Sequence, residues 1–279
     1  MLRLRGLIDV AGQLLPASST YRFCAADLNS PVPEANATFT VLTYNVNFGI
    51  ALRADDPHAA RVMEAIDASE ADIVVLQETH CGWQTCCEKL AAKYPYQRFQ
   101  HGSGAGGNAV LSRWPVTDAR ALHLSEQVDG SWHPALLATV SVPQSVSRTA
   151  LVIAGVHLRP PLEVDGSASL STALTTGPVR LAELQELMRN SHSGPPDIIL
   201  GDWNEQDSGH ALGWLERECR FHDALQEYVP RLKETHRWPF AWGMEMKKRL
   251  DHIAYNPGVL QCHGCGVLSG YESGASDHQ

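Results

Sequence analysis

From Phe39 onward the chain alternates between short apolar runs and stretches of helical periodicity. Phe39-Thr40-Val41-Leu42-Thr43-Tyr44 is β-branched and aromatic and predicts a strand. Asp56-Pro57 offers an N-cap and a first-turn proline, and Ala59, Val62, Met63 and Ile66 follow at helical spacing. Asp72-Ile73-Val74-Val75-Leu76 is a continuous apolar run of the length expected for a strand buried on both faces. Residues 83–92 read as a helix ended by Pro95, and the middle of the chain reads as strands over 96–100, 108–112, 119–124, 135–142 and 150–158. Pro178 is expected to open a helix with a stripe of Leu181, Leu184, Leu187 and Met188. Asp197-Ile198-Ile199-Leu200 repeats the buried-strand signature, 210–218 reads as a helix, and 250–255 with 259–268 read as a final strand pair. No period repeats along the chain. Helix and strand alternate only in parts, which predicts an α/β fold of mixed sheets rather than a doubly wound one.

Two segments lack this patterning. Residues 160–177, PPLEVDGSASLSTALTTG, read as a functional loop or mobile insert, a candidate lid over a site. Residues 1–38 read as a leader or linker. Within them Leu4, Leu7, Ile8, Ala11 and Leu15 lie at helical spacing beside two arginines, the pattern of a surface helix. Asp9 weighs against a targeting segment. No run approaches the ~18 apolar residues of a membrane helix, so a soluble protein of undefined compartment is expected.

The informative feature recurs at strand ends. VLTY ends in Asn45, IVVLQ in Glu78 and LVIAGV in His157. DIILG ends in Asp202, with Asn204 two residues on; Lys247-Lys248-Arg249-Leu250 leads into Asp251, and Gly274-Ala275-Ser276 into Asp277-His278. Each has an ordinary reading, such as a turn cap or a satisfied core histidine. Together they are harder to dismiss, because buried strands rarely end in unpaired charge and ligands gather where strands of α/β sheets stop. Carboxylate and amide oxygens suit a hard cation such as Mg²⁺, which offsets charge built on phosphate oxygens. A carboxylate or an acid-oriented histidine beside it can take a proton from water.

Composition narrows the substrate. A chain of 279 residues with 44% hydrophobic and 19% charged residues is a packed globule. The net charge of −9 excludes the broadly basic surface that holds long nucleic acid through phosphate contacts alone. Seven cysteines, an odd number, do not form a disulfide scaffold. Cys262-His263-Gly264-Cys265 is half of a zinc motif, for which Cys81, Cys86 and Cys87 are the available other half; buried free thiols are the simpler reading. Gly102–Gly107 matches G-x-G-x-x-G but precedes a strand-like run, so the dinucleotide reading lacks its context. Lys247, Lys248 and Arg249 read as a solvated strand flank or a phosphate-steering patch, and Arg159 shares the second claim.

Read in order, Thr43-Tyr44-Asn45, Leu76-Gln77-Glu78, Gly107-Asn108-Ala109-Val110-Leu111-Ser112-Arg113, Val156-His157-Leu158, Gly201-Asp202-Trp203-Asn204, Arg249-Leu250-Asp251-His252-Ile253 and Ser276-Asp277-His278 resemble the endonuclease/exonuclease/phosphatase (DNase I-like) superfamily. The resemblance covers the chain from about residue 39 to its end. It implies a four-layer sandwich, two packed mixed β-sheets flanked by helices, over 39–279. It implies a Mg²⁺-dependent hydrolase, with Mn²⁺ as a substitute, that cleaves a phosphodiester or phosphomonoester by water attack. Glu78 would be the principal metal ligand, helped by Asn45 and Asp277. Asp202 would orient or deprotonate the water, Asn204 would hold the water or a phosphate oxygen, and His157 would bond the phosphate. His278 would contact the phosphate or act as base, oriented by Asp251. A small, lipid-linked or short single-stranded substrate is favoured over long duplex DNA. The alternative is a non-catalytic member acting as a binding or scaffold domain. In the family a strand follows Ser-Asp-His, whereas here only Gln279 does. The expectation is therefore a chain lacking its last strand, or an Asp277-His278 pair that is poorly fixed.

Overall fold

The computed structural model describes residues 2–3, 23–25, 38–53, 55–124, 133–143, 150–161, 170–191, 194–229, 234–239, 245–268, 270–271 and 275–279. Two six-stranded mixed sheets dominate. The first runs in the order Gly266–Val267, Leu2–Arg3, Val41–Asn45, Ile73–Gln77, Asn108–Ser112, Tyr96–Gln100. The second runs His222–Asp223, Asp251–Tyr255, Ile198–Asp202, Ala150–His157, Ala135–Ser141, Val116–Leu122.

Strand alternation decides the layering. Val41, Ile73, Val75 and Val110 of the first sheet meet Leu136, Leu151, Ile153, Ile198, Leu200 and Ile253 of the second in the central cluster. The residues between them in sequence, Leu42, Tyr44, Val74, Leu76, Ala109 and Leu111, point the other way. They pack on Ala59, Val62 and Ile66 of the helix Pro57–Ala68 and on Trp83, Cys86 and Cys87 of the helix Cys81–Cys87. The second sheet does the same with Leu137, Ala154, Val156 and Ile199 against Leu184, Leu187, Leu212 and Leu215 from the helices Leu170–Asn190 and His210–Glu218. Both faces of each sheet are thus buried, which is why the strands read as continuous apolar runs. The result is the four-layer α/β sandwich implied by the resemblance.

Each sheet holds one parallel pair, and these pairs place the site. Val41–Asn45 runs parallel to Ile73–Gln77, with Asn45 opposite Gln77. Ala150–His157 runs parallel to Ile198–Asp202, with His157 opposite Asp202. Asp251 then pairs with Asp202 on the antiparallel side. Parallel strands stop at the same end, so their terminal polar residues are delivered together.

Local chemistry explains the boundaries. Asp56 accepts from His58 N at 2.9 Å and Pro57 occupies the first turn, as the sequence predicts. The helix His210–Glu218 has Gly209 at its N-cap, without a capping side chain. Glu205 supplies the cap from outside, accepting from the backbone N–H groups of His210, Ala211 and Leu212.

The structure departs from the sequence-based expectations at several places. The third long helix is Leu170–Asn190 and contains Pro178 internally. Proline favours a first turn but is tolerated inside a helix that packing holds. Residues 170–177, expected as loop, are therefore helical; 162–169 lie outside the described residues. The stretch 259–268 does not pair with Asp251–Tyr255. Leu260–Cys262 pairs with Phe23–Ala25, and Gly266–Val267 pairs with Leu2–Arg3. Those two pieces of the expected leader thus join sheets, while the predicted helical stretch around Leu4–Leu15 lies outside the described residues. A hairpin of His236–Pro239 and Glu245–Lys248 was not predicted. Arg249 is no solvated flank: it is buried, and it pairs with Asp207 and donates to Val229 O. Cys86 and Cys87 sit in one core cluster and Cys262 and Cys265 in another, so the two halves of the zinc motif are not brought together. Among the described residues no helix is long and apolar enough to cross a membrane.

Candidate active site

Asn45, Glu78, His157, Asp202, Asp251 and His278 converge where the two parallel pairs end. Asn45 is 1% exposed at the last position of its strand, and its amide nitrogen sits between two carboxylates. It donates to Glu78 Oε1 at 2.9 Å and to Asp202 Oδ2 at 3.1 Å. Its oxygen faces away and accepts from Asn47 N at 3.0 Å. As placed, Asn45 therefore spans the two sheets as a donor and offers no oxygen to the space between the acids.

Glu78 follows its strand with φ of 60°, in the left-handed region that a side-chain-bearing residue occupies only when its surroundings compel it. Phe48 N donates to Glu78 Oε2 at 2.8 Å, which ties the carboxylate to the loop after Asn45. Behind it, Gly107 lies against Thr79: a Cβ there would stand 1.9 Å from Thr79 O. The glycine-rich segment thus lets the chain close against the residue after Glu78, a packing role rather than a dinucleotide one.

On the facing sheet, Asp202 receives several partners. Asn204, itself at φ 50°, donates its backbone N–H to Asp202 Oδ1 at 2.8 Å, an Asx turn. The Asn204 side chain donates to Leu158 O at 3.1 Å. Gly201 makes the close strand contact possible: a Cβ there would fall 1.9 Å from Val156 O. Asp202 Oδ2 lies 3.6 Å from His157 Nε2 and 3.5 Å from His278 Nε2, and His157 Nε2 is 3.9 Å from Glu78 Oε1.

His278 Nδ1 donates to Asp251 Oδ2 at 2.8 Å. Asp251 N and Leu250 N both donate to Thr235 Oγ1, which fixes the strand start. Burial alone would push the His278 pKa down; the Asp251 carboxylate overrides it, Asp202 and Asp277 add to it, and the value rises to about 10. Burial likewise acts to raise Asp251, and the His278 charge and hydrogen bond reverse it, so its carboxyl lies below the usual range.

The expectation that Asp277 and His278 are poorly fixed is overturned. Asp277 Oδ1 accepts from Asn47 Nδ2 at 2.8 Å, and Oδ2 is 3.4 Å from His236 Nε2. Burial acts to raise the Asp277 pKa, but His236, the His278 charge and Asn47 outweigh it and hold the carboxyl well below the usual range. Ser276 Oγ donates to Asn45 O at 2.7 Å, residues 236 and 278 form an antiparallel bridge, and Gln279 N donates to Thr235 O at 2.7 Å. Side-chain and backbone ties from three segments do the fixing that a following strand was expected to do.

The acids and histidines fall into separate groups. Glu78, His157 and Asp202 offer ligand atoms within 4.8 Å of one another, whereas Asp277 groups with His236 and His278. Asp277 is thus placed on the rim, beside Asn47, rather than with Glu78. Two carboxylates sharing one amide donor repel each other, and an oxygen-seeking cation relieves that repulsion. The donor set therefore fits a hard divalent ion. Arg159 is buried and its backbone N–H donates to Glu183 Oε2 at 2.9 Å, so its placement is inside the fold and not on a steering surface.

Sequence reasoning missed two histidines. His133 is buried, with Nδ1 2.8 Å from His157 Nδ1, and His236 faces Asp277. Neither follows an apolar run, which was the signal sought.

Comparison with known proteins agrees with this geometry. A family model described as the Endonuclease/Exonuclease/phosphatase family matches residues 42–278. The Inositol phosphosphingolipids phospholipase C of Saccharomyces cerevisiae is 24% identical over 166 residues, 56% of this chain and 34% of that protein, so the chain spans about a third of that relative's length. Sphingomyelinase C from Streptomyces griseocarneus superposes with a TM-score of 0.57 at 19% identity, over 79% of this chain and 84% of that one. Truncated Caenorhabditis elegans TDP2 gives 0.55 at 16% identity, over 78% and 84%. An endonuclease/exonuclease/phosphatase from Beutenbergia cavernae gives 0.57 at 20%, over 85% and 64%. With strand-end residues, sheet order and family match in agreement, this chain belongs to the endonuclease/exonuclease/phosphatase family.

Proposed function

We propose that the protein is a divalent-metal-dependent hydrolase of phosphate esters, using Mg²⁺ with Mn²⁺ as a substitute. The observation that carries this reading is the placement of Asp202. Its carboxylate is bonded by Asn45 across the two sheets and lies within 3.6 Å of both His157 Nε2 and His278 Nε2. That is an acid set to orient a water, flanked by two imidazole nitrogens set to meet a phosphate.

Glu78 would hold the ion, with Asp277 at the rim and Asp202 beside it. Bound there, the ion offsets the negative charge that builds on the non-bridging and leaving oxygens. The chain's own residues do the rest. Asp202 accepts the proton of the attacking water, and Asn204 N holds that carboxylate in orientation. His157 bonds a non-bridging oxygen. His278, turned by Asp251, presents Nε2 to the phosphate or the leaving oxygen. Asn45 keeps Glu78 and Asp202 at a fixed separation.

For substrate, the net charge of −9 disfavours long duplex DNA. The likeness to a phospholipase C acting on inositol phosphosphingolipids and to a sphingomyelinase C supports a lipid-linked or small phosphodiester. The alternative, a non-catalytic scaffold, depended on a loosely held Asp277-His278, and the ties to Asn47, His236, Asp251 and Thr235 weigh against it. The test is hydrolysis of sphingomyelin, inositol phosphates and single- and double-stranded nucleic acids with and without Mg²⁺, by wild type and Glu78→Ala. Mg²⁺-dependent turnover lost in the variant supports the reading, and turnover that Glu78→Ala leaves undiminished would overturn it.

A further inference from the structure

The run of cations at residues 247–249 is divided by strand alternation, and one member is left facing the site. The hairpin of His236–Pro239 and Glu245–Lys248 pairs Arg237 with Lys247 and His236 with Lys248. Partners directly across an antiparallel ladder project to the same face, and successive residues project to opposite faces. Arg237 and Lys247 accordingly both reach Glu234 Oε1, at 3.4 and 3.3 Å, on one face. His236 projects to the other face, where its Nε2 lies 3.4 Å from Asp277 Oδ2. Lys248 shares the face of His236.

That face is continuous with the site. On its second edge His236 bridges to His278, and the two rings lie with centroids 4.5 Å apart. His278, His236 and Lys248 thus stand abreast on neighbouring segments. His278 Nε2 is 3.5 Å from Asp202 Oδ2, inside the site, and His236 meets Asp277 at the rim. Lys248 is next in the row. Adjacent strands lie about 4.8 Å apart, so its backbone stands about 10 Å from that of His278.

The charges sort in the same way. Arg249 is buried against Asp207, and Lys247 is matched by Glu234. Lys248 is half-buried, and among the described residues its ammonium has no hydrogen bond or ion pair. Asp277, the acid that His236 meets on this face, is engaged by Asn47 and His236. In the proposed function the phosphate itself is met by His157 and His278. Lys248 stands outside them, so what it meets is the group that the phosphate carries past the rim.

We propose that Lys248 is a specificity-determining residue that reads the charge of that group: it binds an anionic group, a carboxylate or a second phosphate, and repels a quaternary ammonium such as choline. This deepens the proposed function and rests on it for the position of the phosphate. Opposite charges across a contact add affinity and like charges remove it, so one ammonium separates the two classes. Among lipid phosphodiesters it directs the site to anionic headgroups and away from choline.

The experiment uses the full chain with Mg²⁺ and p-nitrophenyl phosphodiesters whose second group is choline, propyl or carboxyethyl, alike in length and different in charge. In the wild type kcat/KM is expected to rise from choline through propyl to carboxyethyl. Lys248→Met should cut the carboxyethyl-to-choline ratio about fivefold. Lys248→Glu should reverse the order, and Lys248→Arg should keep it. Calorimetry with the monoesters phosphocholine, propyl phosphate and carboxyethyl phosphate should give the same order of affinity. A wild type with no preference for the anionic member, a ratio unchanged in a folded Lys248→Met, or an equal loss on all the esters would overturn the proposal. The calorimetric order reads Lys248 even if the wild type hydrolyses nothing. Hydrolysis without a charge order would sink this inference and leave the proposed function standing.

Discussion

Asn45 and Asp202 end strands in different sheets, and the Asn45 amide donates to the Asp202 carboxylate at 3.1 Å while also donating to Glu78 at 2.9 Å. One neutral side chain thus separates two acids that would otherwise face each other. Asn45→Asp replaces the donor with a third carboxylate at the same size. Without divalent ion this variant is expected to melt below the wild type, because like charges at close range repel. On adding Mg²⁺ it should gain more in melting temperature than the wild type does, while turnover falls about 100-fold as the frame around Asp202 loosens. Differential scanning fluorimetry with EDTA and with Mg²⁺ reads both limbs. Equal Mg²⁺ shifts in the two proteins would remove the amide from the charge-balancing role.

Glu78 is held at φ 60°. A left-handed conformation costs a residue with a Cβ about 1 kcal/mol, and glycine nothing comparable. Glu78→Gly and Glu78→Ala both lose the carboxylate, so both should be inactive. Glu78→Gly should nonetheless be the more stable of the two by about 1 kcal/mol. In most strand-end settings glycine is the less stable choice, so a urea titration that ranks alanine above glycine would show that the strain is not present in solution.

How much of this was legible beforehand depends on what precedes each residue. Asn45, Glu78, His157 and Asp202 stood out because an apolar strand stops immediately before them. The same contrast exposed the layers, since a strand buried on both faces has no polar alternation to hide it. His133 lies ahead of its strand, and His236 follows Thr235 with no apolar run before it, so neither gave a signal. Arg249 was misread because its partner, Asp207, is distant in sequence, and a charge run looks solvated until its partner is known. The long helix was started late because Pro178 is a strong first-turn residue, while the packing of Leu184 and Leu187 against the sheet is a tertiary fact.

Glu183 is not among the acids grouped at the site and gives a pH probe of the fold. It is 5% exposed, and burial raises its pKa to about 7 despite the Arg159 backbone N–H and the charges of Arg159 and Arg180. An acid whose folded-state pKa lies above its unfolded value binds its proton more tightly when folded. Its contribution therefore weakens the fold as pH rises from the unfolded value, about 4.3, through about 7, and is constant outside that window. Glu183→Gln stays neutral and can still accept from Arg159 N. The stability of the variant relative to the wild type should grow between pH 4.5 and 8 by at most about 3 kcal/mol. Parallel denaturation curves at the two pH values, with no change in the difference, would show that Glu183 is ionised in the fold across this range.

Two histidine–aspartate pairs in this chain share one geometry and predict different consequences. His278 Nδ1 lies 2.8 Å from Asp251 Oδ2, and His252 Nδ1 lies 2.8 Å from Asp223 Oδ2. The difference is at the far nitrogen. His278 Nε2 faces Asp202 at 3.5 Å, toward the site. His252 Nε2 is bonded to Glu205 O at 2.9 Å, and the residue is fully buried, so no ring atom is left for a substrate. Glu205 in turn caps the helix His210–Glu218. His252→Gln should therefore cost about 1–3 kcal/mol of stability, the price of an imperfectly satisfied buried pair, and retain most turnover per folded molecule. His278→Gln should keep its fold, since glutamine can still donate to Asp251, and lose turnover by about 100-fold or more. Measuring kcat against the folded fraction for both variants separates the roles. Equal losses of turnover would mean that the two pairs act as one structural unit and that the geometry at Nε2 does not distinguish them.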